Sequence, residues 1–183
     1  MRILGIDPGS NITGFGVLDI EGKKQTFVSC GHLNLKGEFP DRIKQLSNKL
    51  TDVVKTYRPD IVSLEKVFVH KNADSALKLG QARGAILSVI VLNDIPVFEY
   101  TPREIKQTVV GYGGADKAQV QLMIKLLFKL EKIPQVDASD AVAIALTHAN
   151  NLNFAGHNLN SPSIVAKKRK GSSWRKQTHL LGR

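Results

Sequence analysis

The sequence predicts an α/β fold in which a mixed sheet of about five strands carries helices on both faces. Three strand-like segments joined by short turns come first, and strand-like and helical segments then alternate. Two hairpin connections followed by such alternation give a sheet with antiparallel and parallel pairs. The 183 residues, 42% hydrophobic and 23% charged, are enough for the core of one domain.

The first third of the chain is predicted to form three strands and one helix. The turn sequences Pro8-Gly9-Ser10-Asn11 and Glu21-Gly22-Lys23-Lys24 separate strands at 2–7, 13–20 and 25–33. Apolar residues then recur at helical spacing from Phe39 to Tyr57. Arg58-Pro59-Asp60 is expected to end this helix.

The rest of the chain, after residue 60, alternates between strand-like segments and segments with helical spacing of apolar residues. Strands are predicted at 61–67 and 96–100, and helices at 73–92, about 102–110 and 134–149. Apolar residues recurring from 120 to 130 mark another helix. In sheets of this kind ligands gather where strand ends meet loops. Functional residues are therefore expected at strand ends.

Composition excludes several classes of protein. A single cysteine, Cys30, allows neither an intrachain disulfide nor a thiolate zinc site, and the five histidines lack zinc-ligand spacing. The longest apolar stretch, within residues 85–92, is shorter than the roughly 20 residues that span a bilayer, and no signal-peptide segment precedes Asp7. A soluble cytoplasmic protein without membrane association is expected.

Most of the excess positive charge lies at the C-terminus. The whole chain carries +10, and residues 151–183 contain seven Lys and Arg with no acid. The prediction is a near-neutral domain over residues 1–150 and a basic, flexible tail over residues 151–183. Such a tail suits a polyanionic partner, although it could also serve only solubility.

Four carboxylates stand at positions that suit a common site. Asp7 ends the first strand, Glu65 lies in an otherwise apolar strand, and Asp137 and Asp140 begin the last helix three residues apart on one face. Each has an ordinary alternative. Asp7 could form a turn, Glu65 could pair with Lys66, and acids favour a helix N-terminus. A carboxylate inside a buried strand is the hardest to dismiss, because an unpaired buried charge is costly.

Converging carboxylates would repel one another unless cations neutralise them. Two divalent ions balance four negative charges, and oxygen ligands suit Mg²⁺, with Mn²⁺ as a substitute. Such a pair of metals promotes phosphodiester hydrolysis. Asp7, Glu65, Asp137 and Asp140 are therefore the predicted catalytic and metal-binding residues.

Three nearby residues are candidates for nucleic-acid contact. Phe68 lies in a basic segment after the Glu65 strand and could stack on an unpaired base or belong to the core. Lys117 follows a glycine-rich turn and opens a helix, where phosphate is favoured. Lys117 and Lys106 could equally be ordinary exposed lysines.

Several segments together resemble the RuvC family of bacterial Holliday junction resolvases, within the ribonuclease-H-like nuclease superfamily. The resemblance covers Leu4 to about His148. It is carried by Leu4-Gly5-Ile6-Asp7-Pro8-Gly9-Ser10, Glu65-Lys66-Val67-Phe68, the stretch from Lys71 to Gly84, Lys106-Gln107-Thr108-Val109-Val110-Gly111, Lys117-Ala118-Gln119-Val120 and Asp137-Ala138-Ser139-Asp140-Ala141.

The resemblance implies a ribonuclease-H-like fold and a magnesium-dependent endonuclease of recombination and repair. Such an enzyme acts as a homodimer that makes paired symmetric nicks in four-way DNA junctions, with the RuvA–RuvB branch-migration complex as partner. Within the matched segments, the four acids correspond to the catalytic carboxylates, Lys106 and Lys117 to catalytic basic residues near the cleaved strand, and Phe68 to an aromatic that reaches the junction. Lys71, Lys78 and Arg83 are further expected DNA contacts.

Three rival functions are compatible with parts of the sequence. The Gly5–Ser10 segment also resembles the phosphate loop of actin-like sugar kinases, but 183 residues hold only one of the two domains needed. A noncatalytic junction-binding module would keep the fold without the chemistry, and a related nuclease could act on RNA ends. A noncatalytic module would have no need of all four acids, and the segment containing Phe68 disfavours an RNA substrate.

One helix also carries small residues at a regular spacing. Ala76, Gly80 and Gly84 repeat every four residues and would suit close packing against either the sheet or a second subunit. Two equivalent cutting points in a four-way junction favour a two-fold dimer. The spacing permits such a dimer without requiring it.

Overall fold

The computed structural model describes residues 1–66 and 73–154, with only the backbone of Asn153 and Phe154. It contains strands β1 (Arg2–Asp7), β2 (Ile12–Glu21), β3 (Lys24–Asn34), β4 (Ile61–Glu65) and β5 (Val97–Tyr100). Its helices are α1 (Phe39–Tyr57), α2 (Ala73–Leu92), α3 (Pro102–Val110), α4 (Lys117–Leu127) and α5 (Val136–Phe154). The predicted order of elements is confirmed.

The five strands form one mixed sheet in the order β3-β2-β1-β4-β5. The hairpins make β1–β2 and β2–β3 antiparallel, whereas β4 is parallel to both β1 and β5. Because β1 and β4 run in parallel, their carboxyl ends reach the same edge of the sheet. This edge receives Asp7 and Glu65, the last residues of the two strands.

Each face of the sheet has its own apolar core, as predicted for helices on both sides. One core contains Leu4, Ile6 and Leu64 with the buried residues of α1 and α2. The other contains Ile3, Phe98 and Tyr100 with the buried residues of α3, α4 and α5. Alternation along the strands therefore sends Asp7 and Glu65 toward the α5 side.

Glycines bring α5 unusually close to the sheet. A Cβ atom at Gly5 would overlap the carbonyl oxygen of Ala141, and one at Gly14 would overlap that of Asp137. Gly14 pairs with Asp7 across the β1–β2 ladder. The missing side chain at Gly14 thus allows the first turn of α5 to lie next to the end of β1.

Helix α4 begins at Lys117, as predicted for that residue, because Asp116 and Gln119 form a reciprocal cap. It ends at Leu127, before the predicted apolar repeat ends at Leu130. Helix α5 begins at Val136 and continues to Phe154, so its last four residues, 151–154, lie in the predicted tail. Residues 155–183 and the predicted strand end at Val67 lie outside the described part of the chain.

Among the described residues, one helix, α2, has a length and composition that would allow it to cross a membrane. Core helices of water-soluble proteins have the same properties. Helix α2 buries Ala82, Ile86, Val89 and Ile90 in the core shared with α1. Its apolar character is therefore accounted for in part by packing within the domain.

The buried side chain of His148 is expected to make the stability of the fold depend on pH. Its ring lies 4.4 Å from that of Phe98, its Nδ1 is 2.7 Å from the Tyr100 hydroxyl, and only 2% of the residue is exposed. Burial lowers the pKa of His148 from 6.5 to about 4. Between these values the unfolded chain binds the proton more readily than the folded chain, so stability falls as the pH drops.

We expect His148 to reduce the free energy of unfolding by about 2–3 kcal/mol between pH 7.5 and 4.5. Urea denaturation of the wild type and of His148→Phe at both pH values measures this effect. Carboxylates with raised pKa values act in the opposite direction, but they are present in both proteins and cancel in the comparison. If the free energy of unfolding depends on pH equally in the two proteins, the lowered pKa of His148 is wrong.

Candidate active site

Asp7 and Glu65 lie side by side at the carboxyl ends of β1 and β4. The preceding residues, Ile6 and Leu64, are paired in the parallel ladder, and the two carboxyl groups share a hydrogen bond. Lys66, the alternative partner of Glu65, is exposed. The charged groups that influence Glu65 are instead Asp140, Lys117 and Lys106, together with its bonded neighbour Asp7.

Helix α5 brings the other two acids toward this pair. Asp137 lies in its first turn, where it also favours the helix N-terminus. Asp140 is three residues further on, and its Oδ2 accepts a hydrogen bond from Lys117 Nζ at 3.1 Å. Both aspartates influence the charge of Asp7. The four predicted carboxylates are therefore electrostatic neighbours.

Burial and the charges of neighbouring acids raise the pKa of Asp7, Glu65 and Asp140. Desolvation, followed by the charges of Glu65 and Asp140, raises the pKa of Asp7 to about 8, although Lys117 opposes this shift. Burial is also the main reason why the pKa values of Glu65 and Asp140 are raised. The cluster has fewer positive charges than its carboxylates require.

The acids open into a cleft of about 230 Å³. It is lined by Asp7, Glu65, Asp140, Lys106 and Lys117, and by the apolar residues Pro102, Ile105, Val120 and Ile144. Asp137 is not part of this lining. Lys106 influences Glu65 and Asp140 through its charge, and Lys117 bonds to Asp140 directly. Both predicted lysines thus face the same cleft as three of the acids.

Capping residues that the sequence analysis missed orient these lysines. Thr101 and Glu104 form a reciprocal cap at the start of α3, which carries Lys106, and Asp116 and Gln119 do the same for α4. In both cases a capping residue followed three positions later by Glu or Gln is a recognisable sequence signal. The caps set where each helix begins, and so where its lysine lies.

Two further residues hold the loop that follows Asp7. The Thr13 hydroxyl donates to the carbonyl of Gly9 at 2.9 Å, and Thr13 is fully buried. Arg42 from α1 donates to the Ser10 carbonyl at 3.3 Å and to the side chain of Asn11. These contacts join residues from separate elements, and no local pattern in the sequence could have indicated Arg42.

The donor set fits hard divalent cations. Three carboxylates line one partly buried cleft with a fourth beside it, and the raised pKa values of Asp7, Glu65 and Asp140 express a shortage of positive charge. Within residues 1–66 and 73–154, no three His, Cys, Asp or Glu side chains are already arranged around one ion position. Lys117 pairs with Asp140 instead.

The other predicted DNA contacts have different placements. Phe68 and Lys71 lie outside the described residues. Lys78 pairs with Asp74 one turn earlier on α2 at 2.6 Å, in an exposed position. Arg83 forms an ion pair with Glu99 of β5. DNA contact by these four residues stays a prediction.

Comparison with known proteins identifies relatives along almost the whole chain. Residues 3–148 match the family model described as "Crossover junction endodeoxyribonuclease RuvC". The RuvC of Haemophilus influenzae (strain Rd) is 45% identical over 182 residues, which cover 99% of this chain and 96% of that protein. The RuvC of Proteus mirabilis is 49% identical over 149 residues, 81% of this chain and 86% of that protein.

Solved structures agree with this relationship. Thermus thermophilus RuvC, in complex with a Holliday junction substrate, has a TM-score of 0.78 and 31% identity, covering 85% of this chain and 96% of that one. The yeast mitochondrial Holliday junction resolvase Ydc2 has a TM-score of 0.64 and 12% identity, covering 85% and 80%; this second likeness concerns the fold alone. The fold, the matched residues and the relatives agree, and the chain belongs to the RuvC family of crossover junction endodeoxyribonucleases.

Proposed function

We propose that this protein is an endonuclease that resolves four-way DNA junctions by hydrolysing one phosphodiester bond in each of two strands. The observation that carries the proposal is the cleft in which Asp7, Glu65 and Asp140 meet beside Lys106 and Lys117. A relative with 31% identity and the same fold has been solved with a Holliday junction substrate. Carboxylates beside lysines suit a site that brings metal cations and phosphate together.

Asp7, Glu65, Asp137 and Asp140 would hold Mg²⁺, with two ions per subunit balancing the four negative charges and Mn²⁺ able to substitute. When bound, such ions supply an activated water and stabilise the departing oxygen. The chain's own part is to keep four carboxylates fixed at a strand edge and a helix start. The apolar wall formed by Ile105, Val120 and Ile144 limits the water around them.

The lysines are suited to hold the phosphate. Burial opposes the charge of Lys117, but Asp140 and Asp7 outweigh it and raise the pKa of Lys117, which therefore stays protonated near neutral pH. If metal cations bind the Asp140 carboxylate, the ammonium group of Lys117 is released and can contact a phosphate of the DNA backbone. Lys106 contacts the same strand from α3. Phe68 is proposed to stack on a base where the junction opens.

The function is tested with three substrates offered side by side in Mg²⁺: a synthetic four-way junction, a linear duplex of the same sequence and an RNA–DNA hybrid. We expect paired symmetric nicks in the junction, which a ligase can reseal, and no cutting without a divalent ion. The duplex and hybrid should be cut at least about 100-fold more slowly. Equal cutting of all three, or junction binding without any cutting, would contradict the proposal.

Helix α2 is the proposed interface of a homodimer. Gly80 and Gly84 have no atom within 4 Å of an added Cβ, so packing inside the subunit does not account for these small residues. They lie on a face opposite the buried residues of the helix, and Val91 on the same face is 44% exposed. Leu77 beside them is 63% exposed. A two-fold dimer would cover this face and present two equivalent cutting sites.

Replacing Gly84 with Glu should separate the dimer without unfolding the subunit, because the new side chain meets open space. We expect at least a tenfold rise in the dimer dissociation constant, measured by sedimentation equilibrium at micromolar concentrations. Asn48→Glu on the exposed side of α1 is the matched control and should leave the dimer dissociation constant unchanged. If the Gly84→Glu protein has the same dimer dissociation constant as the control, the dimer interface does not lie on this face of α2.

Further partners and location follow from the proposed substrate. A junction-resolving enzyme of this family would act together with the RuvA–RuvB branch-migration complex. DNA as substrate and bacterial relatives support a cytoplasmic site of action. The seven basic residues between 155 and 183, unopposed by acids, would add attraction to DNA phosphates.

A further inference from the structure

The first half of α2 is weakly supported by the rest of the subunit. None of residues 73–81 is buried, and Ala82 is the first residue of the helix that is fully covered. The second half is held by Ile86, Val89 and Ile90 in the core shared with α1. The direction of the first half is therefore set by the contacts made where the buried part begins.

An ion pair lies at this point. Arg83 contacts the carboxylate of Glu99 on β5, and the two side chains are 26% and 15% exposed. The contacting oxygen is Glu99 Oε1, and Arg83 Nε is buried without a hydrogen-bond partner within the described residues. The pair is thus largely withdrawn from water and joins α2 to the edge strand of the sheet.

Strand β5 is also the strand that aligns Glu65. Glu99 is in register with Leu64, and Tyr100 is in register with Glu65. The Lys66 amide, directly after Glu65, donates to the Tyr100 carbonyl at 2.8 Å. Alternation along β5 sends Glu99 to the opposite face from Tyr100 and the carboxylate cluster. Arg83 therefore acts on the strand behind the cleft and not on the cleft itself.

Stability alone is a poor reason for such a pair. A partly buried ion pair gains little over well-packed apolar residues, because both charges lose water, whereas its geometry fixes one arrangement. Apolar contacts on a single helix face would allow α2 to slide or rotate more freely. The specific consequence of an Arg–Glu pair here is a fixed angle between α2 and β5.

We infer that Arg83 and Glu99 are a positioning pair that sets the distance and orientation between the two active sites of the dimer. This inference rests on the proposed function and on α2 as the dimer interface. The pair fixes the first half of α2, which the partner subunit would contact, to the strand beside Glu65. It makes the two cuts simultaneous without taking part in either.

A supercoiled plasmid that extrudes a cruciform tests this inference. Two cuts during one encounter give linear product, whereas independent cuts give nicked circles first. We expect Glu99→Met, which breaks the pair, to lower the initial ratio of linear to nicked product at least fivefold, while the rate of the first nick changes less than threefold. The exchanged pair, Arg83→Glu with Glu99→Arg, should restore at least half of the wild-type ratio.

Asp74→Asn, which removes the charge of the exposed Asp74–Lys78 pair on the same helix, is the matched control and should leave the ratio unchanged. Glu99→Gln provides a milder variant if Glu99→Met does not fold, and it should give an intermediate ratio. An unchanged ratio in a folded Glu99 variant, or loss of the first nick itself, would overturn the inference. A wild-type protein that cuts no junction would instead overturn the proposed function.

Discussion

Asp7→Asn should abolish cleavage of a four-way junction while leaving junction binding intact. The substitution keeps the size of the side chain, but an amide replaces an acid that can ionise to bind a cation where β1, β4 and α5 meet. Loss of a metal-holding carboxylate costs several kcal/mol of transition-state stabilisation, which corresponds to a rate at least about 1000-fold lower. Single-turnover cleavage and a binding titration in Ca²⁺ measure the two properties separately.

Asp52→Asn is the matched control, because Asp52 is exposed on α1 and away from the cleft. We expect it to cut at the wild-type rate. The dissociation constant of the Asp7→Asn complex should lie within about threefold of the wild type, since the shape of the DNA-binding surface is retained. An Asp7→Asn protein that cuts at the rate of the control would remove Asp7 from the mechanism.

The second large effect is expected at Gly5, where even one methyl group has no room. An alanine Cβ would overlap the backbone carbonyl of Ala141 and approach the backbone nitrogen of Ala145, so neither a rotamer change nor a small shift relieves it. We expect Gly5→Ala to lower the free energy of unfolding by about 3 kcal/mol. It should also slow cleavage, because α5 must move away from the sheet with Asp137 and Asp140.

Urea denaturation with Gly114→Ala as control measures this effect. Gly114 lies in an exposed turn, and a Cβ atom there would meet the Tyr112 ring at an ordinary contact distance of 3.5 Å. Alanine there should change the free energy of unfolding by less than about 1 kcal/mol. If Gly5→Ala is no less stable than Gly114→Ala, α5 does not approach β1 as closely as described.

The order of elements was predictable because it depends on local periodicity. The turn at Pro8–Asn11 and the apolar repeat between Phe39 and Tyr57 can be recognised in any window of the chain. The same holds for Glu65, since a carboxylate in a buried apolar strand is unusual wherever the strand pairs. These signals predicted the sheet with helices on both faces and the meeting of Asp7 with Glu65.

Interactions between distant residues could not be predicted in this way. The Lys117–Asp140 and Arg83–Glu99 pairs depend on how helices dock, and nothing in the neighbourhood of either residue indicates its partner. Arg83 lies in a segment that resembles the RuvC family and was expected to contact DNA, which stays a prediction; its ion pair with Glu99 could not be predicted. The cap of α4 was different, because its capping sequence from Asp116 to Gln119 could have been recognised.

The most direct test of the carboxylate cluster as a metal site is anomalous diffraction from crystals soaked in Mn²⁺, with crystals of Asp140→Asn treated identically. We expect two anomalous peaks per subunit in the wild-type cleft, in contact with oxygens of Asp7, Glu65, Asp137 and Asp140, and at least one peak fewer in the variant. Mn²⁺ bound elsewhere on the protein, with none between β1, β4 and α5, would contradict the account.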